Sequence, residues 1–179
     1  MISFTKPEDN LKELRLQDGM QVVDLGAGAG SYAKPSARMV APGGTVVAVE
    51  VQRELLDRLK LECEREGIKN LEVIWANIEK LGGTKLRDAS MDRAILSNVL
   101  FQADDQLGTI RETARILKPE GLLLFIDWSD SFAGMGDLSP KLISPTDAQN
   151  LFESNGFVFE KKIEAGSHHY GIIFRRKGV

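Results

Sequence analysis

Short apolar runs alternate with helical patterns along nearly the whole chain, and this alternation constrains the fold more than any other feature. Residues 21–25, 45–50, 71–75, 93–97 and 122–126 are compact runs rich in Val, Ile and Leu. Runs of that kind read as strands buried on both faces. Between them, residues 52–66 place Leu55, Leu56, Leu59 and Cys63 on one helical face, with Gly67 as the stop. Residues 104–117 do the same with Leu107, Ile110, Ala114 and Leu117, closed by Lys118-Pro119-Glu120-Gly121. Strand, helix and strand recurring every roughly 20–30 residues predict a parallel sheet covered by helices on both sides.

The last fifth of the chain changes pattern. Ser144-Pro145-Thr146-Asp147 supplies an N-cap and a proline at the first helical position, opening a helix to about Ser154. Residues 158–163 and 169–175 are two further strands separated only by Glu164-Ala165-Gly166-Ser167. That gap is too short for a crossover helix, so the pair forms an antiparallel hairpin. The fold class is α/β: a doubly wound, seven-stranded, mostly parallel sheet ending in an antiparallel hairpin strand. A length of 179 residues without a linker or repeat predicts one domain, 1–179. Leu11, Leu14 and Leu16 mark residues 1–20 as a short helical segment that packs on the sheet or forms a partial lid.

Composition removes several classes. With 42% apolar and 27% charged residues the chain can bury a core, which excludes disorder. A net charge of −3 argues against nucleic acid as a partner, including at the small basic cluster of Lys161, Lys162, Arg175, Arg176 and Lys177. The single cysteine, Cys63, forms no internal disulfide and suits a reducing compartment. With only His168 and His169 beside it, no thiolate- or histidine-rich metal site is expected. The longest apolar run, Leu122–Ile126, is far below the roughly 20 residues of a membrane span. The N-terminus carries no leader pattern, so a cytoplasmic protein, monomer or homodimer, is expected.

The chemistry concentrates in Val22-Val23-Asp24-Leu25-Gly26-Ala27-Gly28-Ala29-Gly30-Ser31, where the first strand ends in a glycine-rich turn that opens a helix. Such a turn lets a ligand approach main-chain N–H groups. Glu50 ends the second strand, where a carboxylate can accept from both hydroxyls of a ribose. A nucleoside-bearing cofactor is therefore expected at the carboxyl edge of the sheet. The dinucleotide fingerprint wants a third glycine where Ser31 stands. Asp24, just before the turn, opposes a pyrophosphate and favours a cationic ligand. S-adenosylmethionine, with a sulfonium, an ammonium and no phosphate, is the better match.

The sequence resembles the class I S-adenosylmethionine-dependent methyltransferases, which have a Rossmann-like fold, from about Gln21 to the C-terminus. Asp24-Leu25-Gly26-Ala27-Gly28-Ala29-Gly30 is similar to that family's first motif and Val49-Glu50-Val51 to its ribose-binding second. Ala76-Asn77-Ile78-Glu79-Lys80-Leu81 resembles the segment that reads adenine, with Asn77 where the family usually has aspartate. Residues 90–100, ending Ser97-Asn98-Val99-Leu100, resemble the fourth-strand motif of the small-molecule branch, including the quinone and menaquinone C-methyltransferases; Phe101-Gln102 stand where that branch often has a histidine. Leu117–Leu122 resembles the loop into strand five. The resemblance implies cofactor contacts from Asp24, Gly26, Ala27, Gly28, Gly30, Tyr32, Glu50, Val51, Asn77, Ile78, Ser97 and Asn98. It implies S-adenosyl-L-homocysteine as product. The Pro-Cys nucleophile of cytosine C5 enzymes, the Pro-Pro-aromatic run of amino-methylating enzymes and the several cysteines of arsenite methyltransferases are not matched.

His168 and His169 are the candidates for a general base, because the hairpin turn lies at the carboxyl edge and histidine titrates near neutrality. Both fit equally as polar hairpin residues. Asp127, Trp128 and Tyr170 are candidates for substrate contact at the same edge. Two other readings stay open: a nicotinamide-dependent oxidoreductase, and a non-catalytic S-adenosylmethionine-binding protein. The pocket for an acceptor is expected from residues 1–20, 99–106 and 129–143.

Overall fold

The computed structural model describes residues 6–129 and 142–178. In chain order the elements are α1 (Pro7–Lys12), β1 (Gln21–Leu25), α2 (Ala33–Val40), β2 (Thr45–Glu50), α3 (Arg53–Glu66), β3 (Leu71–Trp75) and β4 (Met91–Ser97). A 3₁₀ turn (Leu100–Gln102), α4 (Gln106–Ile116), β5 (Leu117–Trp128), α5 (Pro145–Ser154), β6 (Phe157–Ile163) and β7 (His169–Arg176) follow. The seven strands form one sheet in the order β3-β2-β1-β4-β5-β7-β6. β1 to β5 pair in parallel, while β7 runs antiparallel to both β5 and β6.

Strand periodicity divides the core between the two faces. Val23, Val47, Ala94, Leu123, Phe125 and Phe174 face α4 and α5, joined by Ile110, Phe152 and Phe157. Val22, Val46, Ala48, Ile95, Leu124 and Ile173 face the other way, under Leu11 of α1, Ala33 and Ala37 of α2, and Leu59 and Cys63 of α3. Each Val, Leu, Ile or Phe among them, taken fully out of water, contributes about 1.5–3 kcal/mol. Residues on both sides of the central strands β1, β2, β4, β5 and β7 are therefore committed, and a one-residue slip in register there would exchange the two cores. Leu11 and Leu14 are fully buried, so residues 7–14 pack on the sheet.

Chain order reverses between β1 and β4, because β2 and β3 lie on one side of β1 and the later strands on the other. In an open α/β sheet this leaves a crevice outside the carboxyl ends of the strands at that point.

Two elements depart from the sequence reading. The helix expected over 104–117 runs from Gln106 to Ile116, begun by the Asp105 side chain accepting from Gly108 N–H at 2.7 Å. Pro119 disfavours a helical Lys118, which ends the helix early. Lys118–Gly121 is not a loop but a bulge inside β5: Leu117 pairs with Met91 and Leu122 with Arg93, and Glu120 takes φ +65. The buried face of α4 is also displaced from the expected one. Leu107 is 38% exposed, whereas Thr109, Ile110, Glu112, Thr113 and Ile116 are buried.

Candidate cofactor-binding site

The crevice at the switch point holds two adjoining cavities on either side of the glycine turn. The larger-walled one, about 380 Å³, is lined by Gly26, Gly28, Glu50, Val51, Asn77 and Ile78, together with Gln52, Leu55, Val99, Gln102 and Ala103. The other, about 200 Å³, is lined by Asp24, Gly26, Ala27, Gly28, Tyr32, Ser97 and Asn98, with Ala29 and Ser31. Every cofactor residue expected from sequence lines one or both, except Gly30.

The turn is anchored to β2, since Gly26 and Ala27 both donate their N–H groups to the Val49 carbonyl, at 2.8 and 3.0 Å. A Cβ on Gly28 would meet nothing within 4 Å, and its φ is +53, so glycine here leaves open space for a ligand. Gly30 has the opposite reason. A Cβ there would lie 2.4 Å from Leu59 Cδ1, so this glycine lets the turn pack on α3.

Glu50 is 7% exposed and its carboxylate is held by backbone. Oε1 accepts from Val51 and Gln52 N–H at 2.8 and 3.1 Å, and Oε2 accepts from Gly28 N–H at 3.0 Å. Three of about four acceptor positions are thus filled, leaving one on Oε2 beside the Gly28 N–H. The sequence reading gave Glu50 acceptor positions for two hydroxyls; the backbone amides leave one of them open.

Asp24 is 2% exposed, and its Oδ2 has no hydrogen-bond partner. Burial, opposed by an Ala33 N–H and reinforced by the Glu50 charge, pushes its carboxyl up to about 7. Asn98, held at φ +58, likewise keeps a buried Oδ1 without a partner. Both residues line the smaller cavity, and two buried acceptors without donors are the complement of a cationic group. Tyr32 is fixed beside them, its hydroxyl accepting from Asn10 Nδ2 at 3.0 Å. Asn77 Oδ1 accepts from Glu79 N–H at 2.8 Å, which sets its amide at the far wall of the larger cavity.

The remaining candidates stand apart from both cavities. Asp127 is fully buried and accepts from Phe101 N–H at 3.1 Å and Trp128 N–H at 2.9 Å. Burial pushes its carboxyl up to about 7 against those two bonds. The His169 ring lies on Trp128 with centroids 3.9 Å apart, and its Nδ1 is 2.8 Å from the Ser167 carbonyl oxygen. His168 is half-buried in the hairpin turn at φ +62. Tyr170 donates its hydroxyl to the Ile143 carbonyl at 2.9 Å and sits edge-on to Phe125. Burial and the charges of Asp127 and Asp147 hold that phenol well above its usual range. The structure does not bring these five together with the glycine turn. Most of the stretch 129–143 expected to line an acceptor pocket, residues 130–141, lies outside the described residues.

Sequence reasoning missed Gln52 and Leu55 as lining residues, and it assigned Val99, Gln102 and Ala103, within 99–106, to an acceptor pocket, whereas they line the same cavity as Glu50. Gln52 directly follows the second motif and was within its reach; the others depend on how α3 and the 3₁₀ turn pack.

A methyltransferase-domain family profile matches residues 16–175. An arsenite methyltransferase from Aquipseudomonas alcaligenes is 35% identical over 116 residues, covering 63% of this chain and 34% of that enzyme. The ubiquinone/menaquinone biosynthesis C-methyltransferase UbiE of Coxiella burnetii is 27% identical over 120 residues, covering 66% and 47%. The chain thus spans between a third and a half of the length of these curated relatives. A crystal structure of a SAM-dependent methyltransferase from Aquifex aeolicus superposes with a TM-score of 0.86 at 28% identity, over 97% of this chain and 90% of that one. Glycine turn, the acid ending the second strand, sheet order and family profile agree, and the chain belongs to the methyltransferase-domain family, the class I S-adenosylmethionine-dependent methyltransferases its sequence resembles.

Proposed function

We propose that the protein transfers a methyl group from S-adenosylmethionine to a small molecule. One observation carries the reading: at a single switch point, Glu50 is held by three N–H groups while Asp24 and Asn98 each keep a buried oxygen without a partner. A ribose diol complements the first and an ammonium the second. A dinucleotide would bring its pyrophosphate over the same turn, towards Asp24, which disfavours the oxidoreductase reading. Bound S-adenosylmethionine supplies a methyl group made electrophilic by its sulfonium.

The chain's own part is to bind and orient. Glu50 takes the ribose, and the apolar slot of Val51, Leu55, Ile78 and Ala103 takes the planar base. Asp24 and Asn98 favour the cationic end. Asp127 acts one step away: by accepting the Phe101 N–H it holds the 3₁₀ turn that presents Gln102 and Ala103 to the slot. Good positioning of this kind is worth roughly 7–11 kcal/mol of barrier. Of the two histidines, His168 in the turn is better disposed to meet an acceptor than His169, whose ring packs on Trp128. Arsenite is disfavoured as acceptor because the single thiol, Cys63, is buried in α3. That thiol also suits the reducing conditions of the cytoplasm. Among the described residues no helix is long and apolar enough to cross a membrane.

Thermal unfolding with S-adenosylmethionine, S-adenosylhomocysteine and NAD in separate samples tests the reading. Each sulfur ligand at 100 times its Kd should stabilise the fold by about 2.7 kcal/mol, with no shift from NAD. A shift with NAD alone would overturn it.

A further inference from the structure

Trp75 ends β3 as the lateral neighbour of Glu50 in the sheet, and residues paired in this way put their side chains on the same face. It is 55% exposed and belongs to neither core, so burial does not account for it. Its contacts are polar and cationic instead. The indole Nε1–H donates to the Val51 carbonyl at 2.8 Å, and the Arg53 guanidinium lies over the ring, 4.8 Å from its centroid.

The Val51 carbonyl and the Gln52 N–H are the two ends of one planar peptide unit and point in opposite directions. Trp75 grips the oxygen end. The other end donates to Glu50 Oε1 at 3.1 Å, beside the Val51 N–H at 2.8 Å. With its carbonyl held, this peptide cannot rotate its N–H away from the carboxylate without breaking the indole bond. Hydrogen bonds in series of this kind also polarise one another. Glu50 passes the constraint on through Oε2, which accepts from Gly28 N–H at 3.0 Å. Gly28, Glu50, Val51 and Gln52 all line the larger cavity, whereas Trp75 is not among its lining residues.

We propose that Trp75 is a positioning residue: without touching the ligand, its indole N–H fixes the Val51–Gln52 peptide and, through it, the orientation in which the Glu50 carboxylate keeps one acceptor position for the ligand. This rests on the reading of Glu50 as the ribose-binding acid given above. Trp75→Phe keeps a ring beneath Arg53 and removes only the N–H, so the melting temperature should barely move. Calorimetric titration with S-adenosylhomocysteine of wild type, Trp75→Phe, Glu50→Ala and the double variant tests the proposal. Trp75→Phe should weaken binding about three- to tenfold when Glu50 is present, the worth of one neutral hydrogen bond, and less than about twofold when Glu50 is alanine. An equal loss in both backgrounds would mean that the ring shapes the cavity independently of Glu50. That result, or no loss in either background, overturns the proposal and leaves cofactor binding standing. Should Glu50→Ala fail to fold, the 2′-deoxy and 3′-deoxy ligands replace it. Trp75→Phe must then weaken the parent ligand more than whichever deoxy form wild type binds less well, and an equal loss overturns the proposal. If Glu50→Ala binds as tightly as wild type, or wild type does not bind, the reading of Glu50 fails and this inference with it.

Discussion

Glu112 on α4 and Asp24 at the end of β1 are carboxylates withdrawn from water to nearly the same degree, 0% and 2% exposed, yet their surroundings differ. Glu112 receives five donors: Gly82 N–H, Thr84 N–H, the Thr84 hydroxyl, and Nε and Nη2 of Arg115. Asp24 keeps one oxygen with none. Burial raises both carboxyls, and the donors decide the outcome. Around Glu112 they more than offset burial and hold the group down at about 2, whereas Asp24 rises to about 7. Acceptors are all filled at Glu112, deep in the fold, whereas one is left without a donor at Asp24, on the wall of the cavity beside the glycine turn.

Breaking the satisfied carboxylate should have the largest effect. Glu112→Ala leaves Arg115, only 17% exposed, without its buried partner and removes the anchor of Gly82 and Thr84. A loss of about 3–5 kcal/mol in urea unfolding at pH 7 is expected. Because the folded-state value lies below the ordinary one, this stabilisation is present above pH 4.5. It is lost as pH falls towards 2, a slope the variant should lack.

Asp24→Asn sharpens the comparison from the other side. A carboxyl raised in the fold costs stability progressively as pH rises from about 4 to 7. The variant should flatten that loss, with a gain on the order of 2 kcal/mol at pH 8, while part of the slope persists through Asp127. Its affinity for S-adenosylhomocysteine should fall and lose the rise expected in wild type between pH 6 and 7.5, as the Asp24 carboxylate forms. A variant that gains stability and keeps full affinity would sever Asp24 from the ligand.

The smallest effects should separate two glycines of the same turn. Gly28→Ala places a methyl group in open space at φ +53 and should cost about 1–2 kcal/mol in backbone strain, with a further loss of ligand affinity. In Gly30→Ala the methyl meets Leu59, so stability should fall by at least as much through displaced packing. Affinity should then recover once the variant is assayed well below its melting point.

How much of this was legible in the sequence follows the same division. Strands with a continuous Val and Ile content, such as Thr45–Glu50, were readable because burial on both faces leaves no other pattern. The turn and Glu50 were readable because their chemistry is local to two strand ends. Glu112 was not, since a glutamate in an amphipathic helix ordinarily faces water, and its partners Gly82 and Thr84 lie far away in the chain. Lys118–Gly121 read as a loop from its proline and glycine, but pairing of Leu117 with Met91 keeps it within β5. The histidines attracted attention by chemical type, whereas the packing of His169 depends on Trp128, a tertiary partner.

The segment between β3 and β4 contains no α-helix, and α4 fastens it from behind at two points, Asp105 N–H to Glu79 and the Gly82–Thr84 amides to Glu112. Its shape is therefore dictated by a receiver on another element rather than by its own sequence. For lineage change, that makes this wall of the larger cavity an exchangeable part. A longer or differently built connection can be installed without disturbing the sheet, provided it delivers two N–H groups to Glu112.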